Sequence, residues 1–296
     1  FLIRVMANLK EIRNRITSVG STMQITSAMK MVSAAKLKRA QDAITQMRPY
    51  AEKLQEILGN LSATLDLSEN AYSDARPENR VLIVGITSNR GLCGGFNNNI
   101  IKRVNYLVND VYADSDVHVL CLGKKIKDAY KRTENYYINE NIQDVEDIFA
   151  QLTFENVSHI ANDLMERFVT KEFDKVVIVY NKFVNAASQD VRTEQFLPIV
   201  PSVQKDNESA GDYIFEPSKN EIVADLIPKS LKIQLFKSIL DSFASEHGAR
   251  MTAMHKATDN AKDLQKSLKL SYNKARQAAI TNEILEIVGG AEALNN

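Results

Sequence analysis

The chain has few cysteines and histidines, two residue types from which many catalytic and metal-binding sites are built. Its 296 residues include two cysteines and four histidines, and no two histidines share a helical turn with a carboxylate. Cys93 and Cys121 provide neither a disulfide framework nor a ligand set for a metal, which favours a reducing compartment. A zinc or hydrolytic site is not expected, and no Gly-x-Ser-x-Gly nucleophile elbow occurs. We therefore predict a chain that is not an enzyme and has no cofactor.

Long apolar runs and a net charge are also absent. No segment approaches the ~18–20 consecutive apolar residues of a membrane-spanning helix, so we expect any membrane association to go through a partner. The zero net charge hides a separation, since Lys and Arg outnumber Asp and Glu by 9 to 4 over residues 7–60 and by 10 to 7 over 229–296. The middle, 61–228, has 17 basic against 26 acidic residues. This separation indicates different partners for the ends and the middle, and a solvated charged surface is the alternative.

What the sequence does contain is a heptad pattern at each end. Apolar residues at alternating spacings of three and four run from Leu9 to Leu65, interrupted only at Thr26, Lys30 and Ser33. A similar pattern near the other end comprises Phe236, Leu240, Phe243, Met254, Ala257, Ala261, Leu264, Leu268, Ala275, Ala278 and Leu285, with His247, Arg250, Ser271 and Asn282 as polar members. Such a row of residues, here called a seam, predicts a long helix that faces a partner helix in a coiled coil.

Glycine and proline predict where the two long helices end. We expect the first helix to begin near Ala7, since the residues before it read as a leader that precedes a natural start. Gly59 supplies a C-cap signal for this helix, although the seam continues to Leu65. Pro228 marks the approach to the last helix, and Gly289-Gly290 should end it.

Between the helices, short apolar runs alternate with helical patterns. Three runs have the composition of buried parallel strands: 81–86, 117–122 and 176–180. Helical patterns lie at about 97–112, 124–132 and 145–170, and a strand ending at Pro198 is expected at a sheet edge. This alternation predicts a Rossmann-like α/β domain at 66–228, inserted into a long antiparallel coiled coil of N- and C-terminal helices at 7–65 and 229–290.

The segment after the first strand, residues 89–97, lies where an α/β sheet could present backbone amides to a phosphate. It contains neither a Gly-x-x-x-x-Gly-Lys-Ser/Thr loop nor a Gly-x-Gly-x-x-Gly fingerprint. A structural turn is therefore favoured over a nucleotide site.

The break in the first seam is the more informative feature. Around Thr26 to Ser33 the helix is apolar nearly all round, which is typical of a segment enclosed on more than one side. Flexible methionines there suit contact with changing surfaces, so we interpret the break as the part of the helix that faces a surrounding partner. Ordinary core packing followed by a solvated basic run at 36–39 explains the same pattern equally well.

Long segments of the chain closely resemble the γ subunits of F-type ATP synthases of the bacterial or chloroplast-like kind. The matching segments are residues 7–16 (ANLKEIRNRI), 24–32 (QITSAMKMV), 48–50 (RPY), 90–94 (RGLCG), 245–254 (SEHGARMTAM), 257–261 (ATDNA), 272–281 (YNKARQAAIT) and 286–291 (EIVGGA). The resemblance spans residues 7–294.

This resemblance implies a central rotary shaft inside a hexamer of alternating α and β subunits. The shaft would couple proton or other ion flow through the membrane ring to ATP synthesis or hydrolysis on the hexamer. The ε subunit and the ring of c subunits would be its other partners, and no nucleic acid would bind. The complex would lie on the cytoplasmic face of a bacterial inner membrane, or on its thylakoid equivalent in a plastid. A non-rotary coiled-coil scaffold and a nucleotide-binding α/β protein are the alternatives.

The resemblance also implies functional positions. Met29 and Lys30 match the coupling segment that faces a catalytic β subunit. Positions on the C-terminal helix that act in coupling and assembly are matched by Arg250, Arg276, Gln277, Thr281 and Glu286. The regulatory dithiol insertion of the chloroplast form is absent, and the acidic segment 202–225 departs from the family pattern.

Overall fold

A long helix is the first described element of the chain, and another long helix is the last. The computed structural model describes residues 2–62, 70–138, 147–199 and 219–294. The long helices are α1 (Leu2–Ser62) and α5 (Lys219–Leu294). No helix within these ranges is long and apolar enough to cross a membrane. The side chains of Leu58, Leu61 and Leu65, and most of the acidic segment 202–225, lie outside the described part.

The chain divides into two compact units. The helix-pair unit comprises Phe1–Val32 and Met251–Asn296, and the α/β unit comprises Ser33–Arg250. In the α/β unit, the strands are β1 (Arg80–Ile86), β2 (Asp116–Leu122), β3 (Lys175–Phe183) and β4 (Gln189–Leu197). The shorter helices are α2 (Phe96–Tyr106), α3 (Lys124–Tyr130) and α4 (Phe154–Val169), and a π-helical turn, Leu107–Val111, extends α2.

The sheet has the strand order β2-β1-β3-β4. Strand β1 pairs in parallel with β2 and β3, whereas β4 runs antiparallel to β3 at the edge. The three predicted buried strands and the predicted edge strand are therefore confirmed. Parallel strands need crossover connections, and helices provide them here, as in other α/β domains.

Helices cover both faces of this sheet. Leu82 and Ile178 belong to a core shared with α4 and with Leu235 of α5, while Ile83 and Val177 point into a second core under α2 and α3. Adjacent strand residues point to opposite faces, which explains why continuous apolar runs fill both cores. The N-terminal part of α5 thus lies inside the α/β unit, on the same face as α4.

In the helix-pair unit, α1 and α5 lie side by side and antiparallel. The side chain of Arg13 donates a hydrogen bond of 2.7 Å to the Tyr272 hydroxyl, and the hydroxyls of Thr26 and Thr258 are 2.8 Å apart. Residues later in α1 thus meet residues earlier in α5. This arrangement confirms the predicted antiparallel coiled coil.

The seam predicted for α5 is only partly correct. Met254 and Ala261 are buried as expected, but Leu264 is 51% exposed, and Gln265 is the inward residue of that turn. The inward row continues through Leu268, Tyr272 and Ala275, so Ser271 and Ala278 lie on the exposed side. The reason is found on α1, because Gly20 lacks a side chain where the Gln265 amide approaches, within 3.0 Å of a Cβ built there.

The predicted helix ends also need correction. Helix α5 contains Pro228 and runs through Gly289 and Gly290, and α1 passes Gly59 before it ends at Ser62. Proline removes one helical hydrogen bond, and glycine costs about 1 kcal/mol relative to alanine in a helix interior, so neither ends a long helix by itself. A glycine stop requires a positive φ, which the described glycines show at Gly94 and Gly123.

Candidate coupling surfaces

The turn from β1 to α2, residues 87–95, is closed by its own side chains. The Asn97 carboxamide oxygen accepts a hydrogen bond of 2.9 Å from the Ser88 backbone N–H, and the Ser88 hydroxyl donates to the Arg90 carbonyl at 2.6 Å. Asn97 also donates to the Cys93 sulfur at 3.2 Å. Because Ser88, Cys93 and Asn97 are all buried, the turn is braced from within. These contacts favour a structural turn over a phosphate-binding loop.

Arg250 attaches this turn to α5. Its guanidinium donates to the carbonyl oxygens of Arg90, at 3.0 Å, and Gly91, at 3.3 Å, and it forms an ion pair with Glu246 one helical turn away. The residue is only 6% exposed. The structure therefore gives the Arg250 side chain partners within its own unit, and its direct contact with another subunit stays a prediction.

The ionisation states at this attachment follow from burial. Burial raises the pKa of the Glu246 carboxyl, while the charge of Arg250 opposes the rise. Burial, reinforced by the charges of Arg250 and Lys36, lowers the pKa of His247 to about 3. His247 is therefore neutral near pH 7, and its Nδ1 can accept a hydrogen bond from Arg250 at 3.3 Å. That tautomer leaves a proton on Nε2, which is buried without a partner.

Exposed basic and apolar groups surround the attachment within the α/β unit. Leu92, with a φ of 64°, projects from the turn and is 64% exposed. Arg90 is exposed beside it, and Lys36 and Arg39 are exposed on α1. The charges of Lys36 and Arg90 both act on Glu246 and lower the pKa of its carboxyl, so both residues lie near it. Such a surface suits a partner that offers acidic groups around an apolar contact.

At the break in the α1 seam, the polar residues keep the inward orientation that the seam predicts for their positions. The polar residues Thr26 and Ser33 are 8% and 2% exposed, so they point inward rather than toward a surrounding partner. Met29 and Lys30 are half-buried at the flanks. The exposed side carries apolar residues instead: Ile25, Met31 and Val32. The helical period of 3.6 residues explains this arrangement, because Thr26 and Ser33 share one face and Ile25 and Val32 share another.

The predicted polar positions at the C-terminal end of α5 are all on the surface. Arg276, Gln277, Thr281 and Glu286 are exposed, and the Thr281 hydroxyl donates to the Gln277 carbonyl at 3.0 Å. Around them, large apolar side chains are also exposed: Ile280, Ile284, Leu285, Ile287 and Val288. A contiguous apolar surface of this kind is typical of a protein interface.

The structure does not gather the predicted residues into one catalytic constellation. Met29 and Lys30 lie beside the Thr26–Thr258 contact, and the last four positions follow Tyr272 along α5, farther from that contact. Sequence reasoning missed Glu246, Ser88 and Asn97, although the spacing of Glu246 and Arg250 is that of an i,i+4 helical ion pair.

The described residues offer little to a metal or a cofactor. They contain no cluster of three or more His, Cys, Asp or Glu side chains with the geometry of a metal site. A cavity of about 270 Å³ lies at the start of β3 and is lined by residues that include Arg76, Asp174 and Lys175. This volume is below the usual range for drug-sized ligands, roughly 300–1,000 Å³. The surfaces of the helices are therefore the stronger candidates for function.

Comparison with known proteins gives a consistent result. A family model described as ATP synthase matches residues 8–294. The chain is 65% identical over 291 residues to the ATP synthase gamma chain of Flavobacterium johnsoniae, covering 98% of this chain and 100% of the relative. It is 61% identical to the ATP synthase gamma chain of Christiangramia forsetii, with the same coverage.

Solved structures share the fold. A chain of the Euglena gracilis mitochondrial ATP synthase, described as OSCP/F1/c-ring in rotational state 3, is similar with a TM-score of 0.65 and 21% identity, over 97% of this chain and 95% of that one. A chain of the Tetrahymena thermophila mitochondrial ATP synthase, described as central stalk/cring, has a TM-score of 0.56 and 24% identity, over 79% and 99%.

Proposed function

Because this chain belongs to the ATP synthase family as a gamma chain, we infer that it works as the central rotary shaft of an F-type ATP synthase. The chain is a non-catalytic subunit, and the chemistry takes place on its partners. Its rotation couples proton or other ion flow through a membrane ring to ATP synthesis or hydrolysis.

The observation that carries this proposal is the exposed apolar surface at the C-terminal end of α5. Ile284, Leu285, Ile287 and Val288 are each more than half exposed. Exposing such side chains to water is unfavourable, at roughly 25 cal/mol per Å² of apolar surface, so an enclosing partner stabilises them. A ring of subunits around the helix supplies that enclosure, whereas a scaffold that contacts one side of the helix leaves part of the surface in water.

We propose three groups of partners. The α and β subunits surround the helix-pair unit, and the ε subunit and the ring of c subunits contact the α/β unit and its adjoining helices. The solved chains with the same fold come from assemblies described as F1/c-ring and central stalk/cring, which supports this assignment. The basic residues of the long helices and the acidic middle segment of the sequence favour different partners for the coiled coil and the central domain.

The proposal assigns roles to the predicted positions. Met29 and Lys30 contact a catalytic β subunit together with the exposed apolar residues beside them. Arg276, Gln277, Thr281 and Glu286 hydrogen-bond the surrounding ring. Arg250 acts mainly by holding the β1–α2 turn, whose exposed Leu92 and Arg90 make the contact. An asymmetric shaft presents different contacts to three identical sites at each angle, which biases their conformations differently.

The location and the domain division complete the proposal. The chain joins a membrane-bound complex peripherally, through its partners, on the cytoplasmic face of a bacterial inner membrane or, as the alternative, in a plastid thylakoid equivalent. Bacterial gamma chains at 61–65% identity support the bacterial location. We propose the division into an N-terminal coiled-coil helix at 7–65, a central domain at 66–228 and a C-terminal coiled-coil helix at 229–290.

Reconstitution tests this function directly. The chain is mixed with the α and β subunits of a bacterial relative, and assembly and ATP hydrolysis are measured, with Ile284→Ser/Ile287→Ser as the disrupted variant. Val111→Ser/Val169→Ser, which changes two exposed β-branched residues of the α/β unit, is the matched control. We expect a complex whose hydrolysis depends on the chain and is weakened only by Ile284→Ser/Ile287→Ser. Failure to assemble would contradict the proposal.

Calorimetry distinguishes the alternatives. Titration of the purified chain with Mg-ATP should show no micromolar binding, because the β1–α2 turn is filled by its own side chains. Micromolar binding would favour a nucleotide-binding α/β protein instead. Purification of partners without any nucleotide-binding ring would favour a non-rotary scaffold.

A further inference from the structure

Two threonine hydroxyls, one on a buried residue and one on a half-buried residue, face each other inside the helix-pair unit. Thr26 on α1 and Thr258 on α5 have their Oγ1 atoms 2.8 Å apart. The Thr258 hydroxyl also lies 2.8 Å from the Met254 carbonyl, and the Thr26 hydroxyl 3.1 Å from the Met23 carbonyl. When Thr258 donates to Met254, Thr26 is left to donate across the seam to Thr258. The contact therefore joins the two helices while both hydroxyls remain hydrogen-bonded.

Burial of apolar surface alone favours a different orientation of α1. Ile25 and Val32 are seven residues apart on one face of the helix and are 59% and 58% exposed. The buried face beside them carries Thr26 and Ser33. Successive residues are about 100° apart around a helix, so a local roll of one residue position would bury Ile25 and Val32 in place of the two polar residues. A specific polar contact must counter this tendency.

We propose that the Thr26–Thr258 hydrogen bond is a positioning contact that fixes the rotation of α1 about its own axis, so that Ile25, Met31 and Val32 face outward. A hydrogen bond requires one distance and one direction, whereas apolar contacts are non-directional. Buried polar residues at coiled-coil seams specify one pairing in the same way, at a cost in stability. On the proposed function, the outward face is the one that a catalytic subunit contacts.

The first test measures orientation in the chain alone and is independent of the proposed function. Val32→Cys and Ser33→Cys report the exposed and the buried face through their rates of maleimide labelling, and the native Cys93 and Cys121 are buried. The Thr26→Val/Thr258→Val background preserves side-chain shape but removes both hydroxyls. If half of the molecules then rotate α1 by one residue position, the labelling rate of Val32→Cys should fall about twofold. The labelling rate of Ser33→Cys should rise.

Two controls accompany the labelling. Thr22→Val removes an exposed hydroxyl that bonds only to the Ser18 carbonyl, so it should leave both rates unchanged. Thr26→Ser/Thr258→Ser keeps both hydroxyls and should restore the rates of the unmodified chain. Equal labelling in the Val/Val and unmodified backgrounds would overturn the proposal.

The second test uses the chain reconstituted in lipid vesicles with all other subunits of a bacterial ATP synthase, including the membrane ring, and it rests on the proposed function. The ratio of proton pumping to ATP hydrolysis should fall with Thr26→Val/Thr258→Val, stay unchanged with Thr22→Val, and recover with Thr26→Ser/Thr258→Ser. A purely stabilising hydrogen bond would change the melting temperature of the helix pair but not this ratio. An unchanged ratio despite altered labelling would overturn the positioning role. Failure of the unmodified chain to assemble would contradict the proposed function and leave the labelling result intact.

Discussion

Asp241 on α5 makes the stability of the α/β unit dependent on pH in an unusual direction. The residue is 6% exposed, and burial raises the pKa of its carboxyl from 3.8 to about 6. The charges of Lys237, Lys182 and Arg48 oppose this rise, and Glu194 adds to it. An acid whose pKa is higher in the folded state stabilises that state below pH 3.8, and this contribution is lost as the pH rises through 6.

The size of the effect follows from the shift. Each pKa unit corresponds to 1.36 kcal/mol, so a shift of about two units is equivalent to roughly 3 kcal/mol of unfolding free energy, as an upper value. Asp241→Asn removes the ionisable group and retains its shape. The variant should match the unmodified chain near pH 4 and exceed its stability by up to roughly 3 kcal/mol at pH 8.

Urea unfolding followed by far-UV circular dichroism at pH 4, 5, 6, 7 and 8 measures this difference. Subtracting the unfolding free energy of the unmodified chain from that of the variant at each pH cancels the contributions of the other titrating groups. Amide hydrogen exchange of β3, which packs against this part of α5, assigns the change to the α/β unit. Asp114→Asn, at an exposed aspartate of the same unit, should show no such trend. A difference that does not vary with pH, or a variant that is less stable at pH 8, would refute the reasoning.

Two further predictions concern the attachment of the β1–α2 turn. Arg250→Leu leaves the buried Glu246 carboxylate without its partner and should cost about 3–5 kcal/mol in urea unfolding, while Arg250→Leu/Glu246→Leu should recover part of that loss. His247 has the opposite pH dependence to Asp241, because its pKa falls from 6.5 to about 3 in the folded state, so its contribution is present above pH 6.5 and lost as the pH falls. His247→Gln should therefore make the chain more resistant to acid, by roughly 3 kcal/mol at most, measured as unfolding free energy at pH 4 against pH 7.

The features that could be predicted from sequence are those that depend on local spacing. The alternation of spacings from Leu9 to Leu54 in α1 is regular, and its register agrees with the observed burial of Leu37, Ala40 and Leu54. The strands were found because both faces of the sheet are covered, which makes each strand apolar throughout. Neither feature requires knowledge of the partner residues.

The features that were missed depend on residues far away in the chain. Gln265 replaces Leu264 as the inward residue because Gly20, on the other helix, leaves room for its amide. The heptad pattern places Arg250 at a seam position, but it does not show that the carbonyls of Arg90 and Gly91, about 160 residues earlier, accept its hydrogen bonds. A heptad pattern predicts which positions face the partner helix. It does not predict which side chains of the partner helix lie opposite them.

The break in the α1 seam depends on both local spacing and distant partner residues. If burial of apolar surface alone determined the packing of α1, Ile25 and Val32 would be buried and Thr26 and Ser33 exposed, because apolar burial is the dominant favourable term in folding. The observed arrangement does the reverse. We propose that the Thr26–Thr258 hydrogen bond holds this orientation in the chain alone, and a partner that covers Ile25 and Val32 would stabilise it further. The same argument applies to the exposed apolar end of α5, and together they make the surface of this chain, rather than any pocket within it, the place where its function is carried out.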